Sequence, residues 1–170
     1  MIKEFTIKKG SHYSFRYGFI PHFGITFNDF IEKDIMFDQS CLYEFENDIY
    51  KDIYDINKLI GLSTAYSHHT QSARIGWRCL DKQNIELLTY SYDKGVRQEA
   101  ILLGNVKPNE QFTIRIEIHD KNFFFAFYKK GYDKQVLVKK SETLSNIKYL
   151  LYPFFGGNKS APHDMKIYFK

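Results

Sequence analysis

Two-residue alternation of apolar and polar side chains, broken at short intervals by turn-forming residues, dominates this chain and leaves few folds open to it. It is clearest in two places. From Phe112 to His119, the residues Phe112, Ile114, Ile116 and Ile118 alternate with Thr113, Arg115, Glu117 and His119. From Ser72 to Cys79, the residues Ala73, Ile75, Trp77 and Cys79 alternate with Ser72, Arg74, Gly76 and Arg78. Successive side chains of a strand point to opposite sides, so each segment predicts a strand with one apolar and one polar face.

The same reading predicts further strands at 3–8, 13–19, 23–30, 41–45, 59–65, 85–92, 97–103, 123–128, 135–139, 148–155 and 163–169. Turn signals separate them, among them Lys9-Gly10-Ser11, Asp81-Lys82-Gln83-Asn84, Asp93-Lys94-Gly95 and Lys130-Gly131. Segments 72–79 and 85–92 make the best hairpin. Glu32 to Asp38 reads as a loop. Ile49, Ile53 and Ile56 recur at helical spacing, so 46–55 reads as one short amphipathic helix. Aromatic residues are abundant, with 16 Phe and 13 Tyr, which favours sheet. Many short strands with at most one or two short helices predict an all-β antiparallel sandwich or barrel. No internal repeat points to a propeller or solenoid. No linker divides the chain, so 1–170 is expected to be a single domain.

The charge balance, 24 Lys+Arg against 20 Asp+Glu, argues against nucleic acid as a partner. Cys41 and Cys79 match no metal spacing, and both a disulfide and two buried free thiols stay open. Glu46, Asp48, Asp52 and Asp55 cluster but fit no calcium loop. Adjacent His68 and His69 would face opposite ways on a strand, which is poor geometry for sharing one ion. No cofactor and no metal are therefore expected. No stretch has the length and apolarity of a membrane span, and the N-terminus lacks an apolar signal region. The expectation is a soluble chain, cytoplasmic in the producing cell or assembled into a particle.

Two groups of residues could carry a function. The first is a groove of His68, His69, Arg74, Arg78, Tyr90 and Tyr92. Arginine forks suit carboxylate or phosphate, and tyrosine offers an apolar face plus a hydroxyl. Gly76 would leave a gap in its floor. The plainer alternative pairs the arginines with Glu86 and Glu117 on the sheet. The second group is the loop from Gly156 to Asp164, with Asn158, Lys159 and His163 as contacts. There the plainer alternative is a structural turn in which Asp164 accepts backbone N–H bonds.

The closing segment, Tyr152-Pro153-Phe154-Phe155-Gly156-Gly157-Asn158-Lys159-Ser160-Ala161-Pro162-His163-Asp164-Met165-Lys166-Ile167, resembles the last strands of concanavalin A-like jelly-roll sandwiches, the fold of lectins, laminin-G-type modules, glucanases and some polysaccharide lyases. The 68–78 stretch, followed by Ile85-Glu86-Leu87-Leu88-Thr89-Tyr90, looks like uncharacterised proteins of tailed phages. The resemblance implies a jelly-roll β-sandwich. Glucanases of that fold carry a Glu-x-Asp-x-x-Glu strand, and here Glu86 stands alone. Alginate-lyase-type members carry Arg-x-Glu-x-Arg, and Arg74-Ile75-Gly76-Trp77-Arg78 keeps the two arginines without the acid. The leading expectation is a non-enzymatic module, plausibly phage-encoded, that binds a carbohydrate or other anionic small molecule. A homo-oligomer is compatible with it. The alternatives are a polysaccharide lyase acting on uronate-containing glycans, with His69 or Tyr90 as base; a viral protein sequestering a phosphate-bearing nucleotide; and a structural capsid or tail component.

Overall fold

A computed structural model describes residues 2–16, 24–46, 48 and 51–170, and two antiparallel sheets account for most of them. The first sheet runs β12 (Tyr132–Lys139), β11 (Asn122–Lys129), β10 (Gln111–Ile118), β4 (Phe30–Phe37), β14 (Met165–Phe169), β1 (Lys3–Ile7) and β2 (Ser14–Phe15). The second runs β3 (Gly24–Thr26), β13 (Lys148–Leu151), β5 (Asn57–Ser63), β6 (Gln71–Cys79), β7 (Ile85–Asp93) and β8 (Val96–Arg97), with β9 (Leu102–Val106) also paired to β7. The expected sandwich is what forms. The best hairpin is also present, with Arg74 opposite Tyr90 and Arg78 opposite Glu86.

The core lies between the sheets and is built by the alternating sets. Ala73, Ile75, Trp77 and Cys79 on β6 meet Phe112, Ile114, Ile116 and Ile118 on β10 and Phe123, Phe125 and Phe127 on β11, all buried. Trp77 packs against Phe37 at 5.1 Å between ring centroids, and Phe37 stacks on Phe112 at 5.6 Å. Both cysteines are buried and free; burial pushes the Cys41 thiol far up.

Four local expectations fail. Of residues 32–38, read as a loop, 32–37 lie in β4, between β10 and β14. Ile31, Ile35 and Phe37 face inward, while Glu32 pairs with Arg115 at 3.0 Å and Asp34 accepts from the Thr113 hydroxyl at 2.7 Å. Glu32 and Asp34 thus find a guanidinium and a hydroxyl on the neighbouring strand. Residues 41–45 form no strand. A 3-10 turn, Gln39–Cys41, precedes them, capped by the Asp38 carboxylate, which accepts from the Ser40 N–H at 2.9 Å. The 97–103 strand is split between β8 and β9. Of the expected 46–55 helix, only a 3-10 turn at Asp52–Tyr54 is found, and Ile49 lies outside the described residues. Parts of the expected 13–19 and 23–30 strands lie outside them too.

Candidate functional site

The outer face of the second sheet is not simply wet. Ile56 covers Gly76, where an added Cβ would lie 2.3 Å from the Ile56 Cγ2. The gap expected at Gly76 is therefore filled. Ile56, Leu88 and Tyr90 form a second small apolar cluster there. Beside it opens a pocket of about 430 Å³.

Arg74 forms its base. The guanidinium reaches across β5 because Gly61, its neighbour there, has no side chain; a Cβ would sit 2.4 Å from the Arg74 Cγ and from the Ala73 carbonyl oxygen. Arg74 is 5% exposed. Its Nη2 donates to the Tyr152 carbonyl at 2.7 Å, and its Nε is buried with no hydrogen-bond partner among the described residues. Burial brings the Arg74 guanidinium down to about 10, with the Tyr90 hydroxyl acting the other way.

One wall is a strand-like segment. Phe154 and Lys58 exchange two backbone hydrogen bonds, each 2.8 Å, and Phe154 also bridges to Tyr13 beside β2. Phe154 packs edge-on to Tyr13 and stacks on His12. The Lys58 ammonium lies 4.7 Å from the Tyr90 ring centre, and the Arg97 guanidinium lies 4.9 Å from the same ring. Burial, then the charges of Arg74 and Arg97, bring Lys58 down to about 8, with Asp55 acting the other way. Burial and the Tyr92 hydroxyl push Tyr90 up to about 12. His68 and His69 close the rim, their rings 4.2 Å apart, and His69 leans on Tyr92 at 5.0 Å. Burial and the Arg74 charge bring His68 down to about 4, so it is neutral at pH 7. Among the described residues, none that lines the pocket is acidic. The pocket thus combines cations and aromatic surface, with Asp55 beside Gly157 as the nearby carboxylate.

The pocket brings together His68, His69, Arg74 and Tyr90 of the expected groove, with Tyr92 alongside. Arg78 is elsewhere. It pairs with Glu86 at 2.7 Å and donates to the Tyr54 carbonyl at 3.2 Å. Glu117 is engaged by Arg115, not by Arg74. Asn158 and Lys159 border a separate shallow depression, where Lys159 lies 3.4 Å from both Asp48 and Asp52. His163 Nε2 is 2.7 Å from the Ser40 carbonyl, and Asp164 accepts from the Lys9 N–H at 2.8 Å. Among the described residues no group of three or more His, Cys, Asp and Glu converges to hold a metal.

Sequence reasoning missed Lys58, Tyr13, Tyr152 and Phe154. A signal for Lys58 was present: it is the one charge in Ile56-Asn57-Lys58-Leu59-Ile60-Gly61-Leu62. No such signal marks the aromatic residues, whose neighbours are set by chain segments far away in sequence.

No protein-family model matches the chain, and no curated protein matches it. Solved structures do match. An alginate lyase from Klebsiella pneumoniae superposes with a TM-score of 0.53 at 10% identity, over 82% of this chain and 56% of that one. The chain therefore spans little more than half of that lyase. A functionally unknown protein from Saccharomyces cerevisiae gives 0.51 at 14% identity, over 96% of this chain and 78% of that one. A GH16 protein of a Bacteroides ovatus mixed linkage glucan PUL, in complex with G4G4G3G product, gives 0.52 at 7% identity, over 98% and 77%. Nothing in these matches bears on the likeness to tailed-phage proteins. At such identities the similarity speaks for the fold: the chain is a β-sandwich of concanavalin A-like jelly-roll type.

Proposed function

We propose that the protein binds an acidic glycan in the pocket above Arg74. The observation that carries this reading is the buried guanidinium, with one N–H committed to a carbonyl, in a pocket with no acidic lining residue among the described ones. A carboxylate or sulfate beside Arg74 would pair its buried positive charge, and a hydrogen bond to a charged group contributes about 1.5–3 kcal/mol. The Tyr13 and Phe154 rings supply apolar surface for a sugar ring. The volume suits one or two sugar residues, within the usual range for small-molecule sites. Two proteins of the same fold, the alginate lyase and the GH16 protein holding its product, make a glycan the natural first ligand to try.

Titration calorimetry against uronate-containing, sulfated and neutral oligosaccharides tests it. Acidic oligosaccharides are expected to bind at least about tenfold more tightly than neutral ones, roughly the 1.4 kcal/mol that one charge-assisted hydrogen bond supplies. The preference should fall as salt rises. Arg74→Met should abolish it, and Tyr13→Ala, which leaves Arg74 in place, should weaken binding of both classes. Tight binding of nucleotides with silence toward every acidic sugar would replace this reading with nucleotide sequestration.

A further inference from the structure

The pocket holds more than an anion anchor. Among the described residues, Lys58 is the one lysine lining it. Register sets Lys58 opposite Gly76, and its ammonium lies 4.7 Å from the Tyr90 ring centre and 5.8 Å from that of Phe154. Gly156 leaves it room, because a Cβ there would lie 2.4 Å from the Lys58 Nζ. The groups facing it are Arg74 on β6, Tyr90 on β7, Arg97 on β8, His68 in the 64–70 loop, and Asp55 at the end of the 3-10 turn. Three of these are basic side chains, and Asp55 is the single acid. Burial and like charge therefore favour a neutral amine over an ammonium. Holding an anion would be served better by a lysine that stayed charged. A neutral amine is instead a nucleophile, and desolvation beside other cations is how a lysine is prepared to attack a carbonyl carbon.

We infer that Lys58 forms a covalent imine with carboxylate-bearing aldehydes, Arg74 holding the carboxylate while the amine attacks the carbonyl carbon. This rests on the acidic-glycan reading above for the role of Arg74. The Lys58 nitrogen gives its lone pair to the carbonyl carbon, so the C–N bond forms as the C=O π pair moves to oxygen. That oxygen takes a proton from water, and the nitrogen releases one. The hydroxyl so formed takes a further proton and leaves as water. The nitrogen lone pair closes the C=N bond, and the second amine proton is released. Both amine hydrogens thus end on the departing oxygen by way of solvent, and nothing is oxidised or reduced.

Two sources supply this chemistry. The reducing end of an acidic glycan, in its open-chain form, carries an aldehyde and a carboxylate at opposite ends of one sugar. A small oxo acid such as glyoxylate carries them on adjacent carbons.

The test is reductive trapping on the full chain. Glyoxylate, glucuronic acid and acetaldehyde are each supplied with cyanoborohydride, and the label is located by peptide mass. The reagent adds hydride to the imine carbon, which leaves a secondary amine heavier by the aldehyde less one oxygen. At pH 7 about a tenth of a lysine held at about 8 is neutral, against less than about a thousandth of an ordinary one. Lys58 should therefore take at least about tenfold more label than any exposed lysine, and the lead should fade near pH 10.5. In Arg74→Met, with its fold checked by melting, the two acidic aldehydes should lose more of that lead than acetaldehyde does. An oligouronate whose reducing end has been converted to the alditol should bind in calorimetry and protect Lys58. Label from glucuronic acid alone assigns the glycan end, and label from glyoxylate alone assigns the oxo acid. Label spread evenly over the lysines, or a Lys58 label that neither Arg74→Met nor the alditol reduces, overturns the inference. Alditol binding with no label at Lys58 overturns the imine and leaves the glycan reading standing. Arg74-dependent glyoxylate label without alditol binding keeps the imine and removes the glycan. Neither binding nor label removes both.

Discussion

At Lys58 a neutral side chain would suit the surroundings better than an ammonium. An unfolded lysine keeps its proton to about 10.5, whereas this one keeps it only to about 8. The unfolded chain therefore binds more protons across that interval, so folding is penalised below pH 8 and the penalty fades as pH rises toward 10.5. Lys58→Met should raise the melting temperature at pH 7, by an amount corresponding to roughly 2 kcal/mol, and the gain should shrink at pH 10. Equal gains at both pH values would mean that packing, not charge, is responsible. The two arginines of β6 make a related point. Arg74 and Arg78 share a face and could not be told apart in sequence. Register separates them: Arg78 falls opposite Glu86 and is neutralised, whereas Arg74 falls opposite Tyr90 and is not. The groove was thus legible as a composition, but its working arginine depended on which residue lay across the ladder.

Strand β5 works largely through a missing side chain. Gly61 leaves the passage that Arg74 uses, and the atoms that crowd it include the Ala73 backbone, which cannot swing aside. Gly61→Ala is expected to cost about 1–3 kcal/mol, read by chemical denaturation, and to abolish acidic-sugar binding by displacing Arg74. A second constraint lies at the far end of the same sheet. Asp93 at the end of β7 accepts from the Ser141 N–H at 2.8 Å, the Ser141 hydroxyl at 2.6 Å and the Gln71 amide at 2.9 Å. Burial alone would raise its carboxyl, but these bonds outweigh it and hold it below the usual aspartate range. The folded carboxyl therefore releases its proton more easily than the unfolded one. The stability it lends is full above the ordinary aspartate value of about 4 and is lost as pH falls below it. Asp93→Ala should cost about 2 kcal/mol at pH 7 and less near pH 3, as denaturant midpoints at the two pH values would show. Neither device is legible in sequence, because each depends on contacts between distant segments. Strand β4 was hidden for a different reason. Its alternation carries Lys33 at an inward position and acids outward, a pattern that looks like a loop until the facing Arg115 and Thr113 are known.

Across the whole molecule, the inward-facing residues of β6 and β10 were readable in full, because a buried sheet face needs unbroken apolar alternation, whereas β11 is apolar on both sides and its inward face was not. Trp77, fully buried where the sheets meet, is the place to test that core. Trp77→Ala should lower stability by about 3–5 kcal/mol, measured by denaturant unfolding, and a loss under 1 kcal/mol would show that the sheets repack around the void. Strands β1 and β14, near the two ends, pair with Lys3 opposite Phe169, on the sheet that does not carry Arg74. A short peptide joining those ends, with new ends cut at the Lys130-Gly131 turn, should give a circular permutant that keeps both the fold and the pocket. Copies tethered through that side would leave their pockets free to meet one polymer together, so weak single-site contacts would add up as avidity.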